Sequence, residues 1–172
     1  MSKYRFGYDT VKFHKIDPAN GLALAGSEVD ITDDILRDTF DFAEEDGTTT
    51  DIYSEMNNTP VISFSEPGKE TISLGVMEVT VDTLKEFIGG DIVVGGGGER
   101  TWSKPANVAN IERRLEIVTA DGYQMIFPRV KVICKKNFQV RRNNIFVLDI
   151  ECSVLLPEHA GLSPMDVIEP AP

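Results

Sequence analysis

The stretch GGDIVVGGGGERTW, Gly89 to Trp102, carries six glycines in fourteen residues. Glycine-rich loops are where backbone N–H groups cradle phosphate, and that chemistry needs a tight turn opening a helix. A Gly-Lys-Ser/Thr ending, or a G-x-G-x-x-G pattern behind a strand, would mark it. Here the glycines follow a helical pattern, a strand-like DIVV separates the two clusters, and no GKS or GKT follows Gly95–Gly98. A phosphate site is not expected. Four successive glycines lose much backbone entropy when fixed. The tract therefore reads as a mobile excursion joining DIVV to ERTWSKP. Trp102 either anchors its far end on the core or packs on a neighbouring subunit.

Other reactive residue types form no constellation. Cys134 and Cys152 each sit in an apolar, strand-like run and read as buried free thiols, with a disulfide open if those strands pair. His14 and His159 lie far from them with no ligand spacing, so no metal site is expected. Asp33-Asp34 and Glu44-Glu45-Asp46 sit in polar sequence and read as solvated carboxylates, without the spacing of a calcium loop. Ser54, Ser63, Ser65, Ser73 and Ser103 lack the GxSxG elbow of an activated serine. Neither catalysis nor a cofactor is expected.

Arg113-Arg114, Arg129, Lys131, Lys135-Lys136 and Arg141-Arg142 form a basic block. A basic hairpin tip can touch phosphates, but the chain is acidic overall and shows no recognition helix. Docking on an acidic neighbour fits better. The net charge is -11, and residues 17–99 carry -16 of it against +7 for residues 100–142. Such asymmetry suits complementary self-contact.

The elements that would position these residues are mostly strands. The length of 172 residues suits one domain. No apolar run is long enough to span a membrane. The first residues lack the apolar region of a signal peptide, which points to synthesis in a cytoplasm. KYRFGYDTVKFHKI, within a terminal arm of residues 1–16, reads as a short strand or as an arm docking on a neighbour. Val29 and Ile31 suggest a strand, as do Phe40 and Phe42, with a helical turn near Ile35. Glu44–Pro60 reads as an extended loop with one weak strand. VISFS and ETISLGVMEV follow, with Pro67-Gly68 as the turn between them. TVDTLKEFIGG is the one helix: Thr80 caps it, Asp82 lies in its first turn, Val81, Leu84, Phe87 and Ile88 form its stripe, and Gly89 ends it. Strands follow over Asn110–Thr119, Tyr123–Lys135 and Asn144–Leu156. Asp121-Gly122 is a hairpin signal, and Pro128 demands an edge or a bulge. In the last strand Phe146, Leu148, Ile150, Cys152, Val154 and Leu156 make an apolar face. The other face carries Asp149 and Glu151 between apolar ends. Residues 157–172 read as a loose tail.

In order, these features resemble the major tail tube protein of long-tailed bacteriophages. The matching pieces are the polar loop, strands and short helix of EEDGTTTDIYSEMNNTPVISFSEPGKETISLGVMEVTVDTLKEFIGG; the Trp–Pro approach to a long hairpin in WSKPANVANIERRLEIVTADGYQMIFPRVKV; and the final strand and AGLSP tail of IFVLDIECSVLLPEHAGLSPMDVIE. The likeness covers roughly residues 28–169. It implies a mainly β fold, a tail-tube-type β-sandwich or partly open barrel with one short flanking α-helix. Six copies would form a ring, and rings would stack into a tube in the virion tail. Long strands would join into an inner barrel, and loops and termini would bridge rings. Tape-measure, terminator and baseplate-hub proteins would be further partners. DNA would pass non-specifically through the lumen, whose acidic lining would let it slide. The interface residues expected are Trp102, Arg129, Lys131, Lys135, Lys136, Arg141, Arg142, Asp149 and Glu151. The competing readings are the inner tube of a contractile injection or secretion system, and a soluble β-sandwich binding module.

Overall fold

Strand alternation decides the frame. The computed structural model describes residues 7–107, 109–139, 142 and 144–170. Strands β9 (Ile111–Val118), β10 (Gln124–Phe138) and β11 (Phe146–Val154) run antiparallel in chain order. Leu148, Ile150 and Cys152 of β11 are buried on one face, as their alternation requires. Leu115 and Ile117 of β9 join them, with Phe127, Val130 and Val132 of β10. Inward positions of β10 change parity between Phe127 and Val130, where the register with β9 slips. Pro128 occupies that bulge, where no ladder N–H is needed.

β1 (Thr10–His14) pairs with β9 along its whole length and buries Val11 and Phe13. Of the two readings open for the first segment, residues 10–14 are a strand inside the sheet. β2 (Val29–Asp30) flanks β1. On the other side β11 pairs with β6 (Glu70–Val76), and β6 with β3 (Asp41–Glu44). β12 (Asp166–Ile168) pairs with Gln124–Ile126 of β10 and completes an eight-stranded sheet. The tail expected to be loose is pinned there by its own ladder bonds.

The sheet curls. Phe42 from β3 meets Phe127 from β10 at 5.5 Å between ring centres. The segment between β2 and β3 straps the two ends together: Ile31 N–H donates to the Val11 carbonyl, and Leu36 N–H to that of Gly75. Ile35 bridges to Val76. A 3-10 turn at Thr32–Asp34 makes the corner.

Helix α1 (Val81–Ile88) lies against the sheet through Phe87, whose ring meets Phe13 edge-on at 5.2 Å. Thr80 and Thr83 form a reciprocal capping box, and Gly89 ends the helix at φ +83°. A hairpin of β7 (Asp91–Val94) and β8 (Arg100–Ser103) stands beside the helix. Arg100 holds Asp82 through two hydrogen bonds of 2.7 and 2.6 Å. The architecture is mainly β with one short helix, and its sheets are open rather than closed into a barrel.

Candidate assembly surface

The region expected to be a loop is an arm. β4 (Thr48–Tyr53) and β5 (Pro60–Glu66) form a two-stranded sheet in which every residue is exposed. Its register continues that of β3 with β6: Glu44 faces Glu70, and Thr48 faces Glu66. One hairpin therefore runs from the sheet out through the arm. Pro67-Gly68 marks an interruption in it and not a reversal, as its turn-like composition had suggested. The chain reverses between Tyr53 and Pro60. The arm projects about 20 Å beyond the sheet, at about 3.4 Å per residue over six pairs.

Period two puts Thr50, Ile52, Ile62 and Phe64 on one side of the arm. Ile52, Ile62 and Phe64 are 49, 48 and 56% exposed, and Met56 at the tip is 97% exposed. The segment 44–70 carries seven acidic residues and one lysine. Among the described residues, Glu44, Glu45, Asp46, Glu55 and Glu66 have no ion-pair partner.

Of the basic block, Arg113 and Arg114 lie on β9, and Arg129, Lys131, Lys135 and Lys136 lie on β10, whose hairpin with β11 outruns β9. Beyond Val132, β10 has β11 on one side and, among the described residues, no strand on the other. Lys131 and Lys135 are exposed on one face, and Lys135 stands opposite Asp149 across the ladder. Lys136 lies on the other face, 5.0 Å above the Trp102 ring. Trp102 donates its indole N–H to the Gly89 carbonyl at 2.9 Å. That bond ties the β7–β8 hairpin to the end of α1 within the chain. Arg142 is exposed in the turn, and Arg141 lies outside the described residues.

Arg129, expected at a subunit contact, is occupied internally. Its guanidinium grips Glu112 at 2.7 and 3.1 Å and reaches Glu158 at 2.9 Å. Hydrogen bonding from Arg129 holds the Glu112 carboxyl below its ordinary range. Spacing alone could not reveal this pair, because the bulge at Pro128 turns Arg129 toward the side of the sheet that carries Glu112.

Asp149 and Glu151 do not make an acidic strip. Asp149 faces Lys135, and Glu151 lies 3.8 Å from Lys69. The polar face is of mixed sign, in place of the acidic lining expected from the strand by itself.

The glycine tract closes the β7–β8 hairpin. Gly95 N–H donates to the Glu99 carbonyl, and Gly98 N–H to that of Gly95. Gly98 has φ +87°. This is a three-residue loop with a glycine bulge, in place of the loose excursion that composition suggested. The same bonds recur at Thr119–Tyr123, with Gly122 at φ +83°. Neither loop opens a helix, so neither meets the requirement for cradling phosphate.

Both thiols are free, although Cys152 lies opposite Val132, two residues from Cys134. Burial pushes the Cys134 thiol up to about 12 and that of Cys152 higher still. Among the described residues no group of three His, Cys, Asp or Glu could hold a metal ion. No described helix is long and apolar enough to cross a membrane. No protein-family model matches the chain, and no curated protein matches it.

Proposed function

We propose that the chain is a structural subunit that assembles with copies of itself into six-membered rings, stacked as the tail tube of a long-tailed bacteriophage. DNA would pass along the lumen, the residence would be the virion tail, and no catalysis would be involved. The observation that carries the self-assembly reading is the arm. A lone two-stranded hairpin is marginal in water, and this one keeps an apolar side that no described residue of its own chain covers. An exposed apolar side of that kind marks a contact surface. The uncovered edge of β10 adds a second unsatisfied feature, since free edges invite pairing. The order of sequence features supplies the ring and the tube.

Replacing residues 46–68 by Asn-Gly tests the reading. Glu45 and Lys69 are already bonded across the hairpin, so a two-residue turn can close it there. Under light scattering the full chain should form large assemblies, and the armless chain should fold but remain small. A full chain that stays monomeric at every concentration would contradict the proposal.

A further inference from the structure

The arm and the open edge of β10 are complementary in three respects. The first is hydrogen bonding. Leu155 N–H donates to the Arg129 carbonyl, so odd-numbered residues of β10 turn their main-chain groups toward β11. Cys134, Lys136 and Phe138 then turn theirs to the uncovered side. Among the described residues no backbone partner meets them. The outer edges of β4 and β5 are equally unpaired.

The second is shape and polarity. A cleft of about 500 Å³ runs beside this edge, between β10 and the end of α1 with the loop after β8. Phe87, Ile88, Pro105, Ala109 and Val132 line it. The arm offers Ile52, Ile62 and Phe64 at the spacing of alternate strand residues. The third is charge. The cleft is rimmed by Lys104, Lys131, Lys135 and Lys136, with no acidic residue in its lining, while the arm is acidic.

Building on the self-assembly reading, we propose that the arm of one copy lies along the open edge of β10 in another copy and extends its sheet. The apolar side enters the cleft, and the arm's carboxylates meet the lysine rim. Main-chain bonds supply much of the affinity in such strand addition, and side-chain pockets set the register. The contact is heterologous, because arm and cleft are different surfaces, so it propagates into a ring or a filament.

Two variants that each add one exposed cysteine, Ser63→Cys on the arm side that would share the face of Lys131 and Lys135, and Lys135→Cys, are mixed and oxidised with a copper catalyst. Any disulfide between them must be intermolecular. The native Cys134 and Cys152 thiols are present in both mixtures, so the comparison accounts for them. The heterodimer should exceed that formed by Ser63→Cys with Leu156→Cys at least tenfold. In parallel, Lys131→Glu with Lys135→Glu should weaken assembly by about tenfold or more, as loss of interfacial charge pairs does. Adding Asp51→Lys and Glu66→Lys should restore it. All the substituted side chains are exposed, and circular dichroism checks that each variant folds. Absence of the preferred heterodimer overturns the inference whether or not tubes form. Wild-type assembly that ignores the charge reversals also overturns it and leaves the self-assembly reading standing.

Discussion

Gly68 lies so close to Glu45 that a Cβ on it would fall 1.6 Å from the Glu45 carbonyl oxygen. Across the same waist, a Cβ on Gly47 would fall 2.5 Å from the Glu66 carbonyl. The two chains of the hairpin come together here, where the sheet ends and the arm begins. Only residues without a side chain let them pass while the register continues. Gly68→Ala should therefore push the strands apart. Amides of β4 and β5 should lose about 1–3 kcal/mol of protection, the usual cost of overpacking, while those of β9 to β11 stay unchanged. Hydrogen exchange measures both. Unchanged exchange in the arm would show that the waist does not hold it.

The glycine tract makes a position-specific prediction. Gly98 sits at φ +87°, whereas an added Cβ at Gly96 meets nothing within 4 Å and φ there is not left-handed. Gly98→Ala should cost about 1–2 kcal/mol, the price of a Cβ in the left-handed region. Gly96→Ala should be neutral, or stabilising by up to about 1 kcal/mol through the unfolded chain. Thermal melts of the two variants should diverge. Equal effects would mean that the turn is not formed in solution.

Glu112 predicts a pH dependence. Arg129 lowers its pKa in the folded state. Its stabilising contribution is then fully present above the unfolded value of about 4.3 and is lost as pH falls through the lower folded value. At pH 7, Glu112→Gln should cost about 1 kcal/mol, since the pair is partly solvated. The difference from wild type should shrink below about pH 4. A difference that persists at pH 2 would point to packing in place of charge.

Ile150 and Glu151 test the assignment of faces. Ile150 is 2% exposed inside the core, and Glu151 points to the polar face. Ile150→Asp should unfold the chain, because an isolated buried carboxylate costs more than about 4 kcal/mol. Glu151→Gln should fold normally by circular dichroism. A cooperative melt for Ile150→Asp near that of wild type would refute the face assignment.

Sequence patterns carried the parts of the fold in which local and tertiary signals agree. Thr80, the Phe87 stripe and Gly89 mark α1 because capping is a local interaction. The inward set Leu148, Ile150 and Cys152 is legible because β11 has a core behind one face. The arm was not legible as strands: TTTDIY alternates weakly, and no burial demands a period. Pro67-Gly68 has turn composition but sits where two strands pass through a narrow waist. β12 is too short for a period to register, and its place depends on the edge of β10 that β11 leaves free. The pairing of Arg129 with Glu112 is not legible either, because it depends on a bulge. A bulge changes which face a residue takes without changing the sequence pattern around it.

The proposed assembly of these subunits into rings and tubes has a visible signature. Negative-stain electron microscopy of the purified wild-type protein at high concentration would reveal it. Rings with a central channel are expected and, at low salt, stacks of them. At about 1 M salt, where the screening length falls to about 3 Å, the stacks should shorten before the rings dissociate. Uniform single subunits at every protein and salt concentration would rule out assembly through these surfaces.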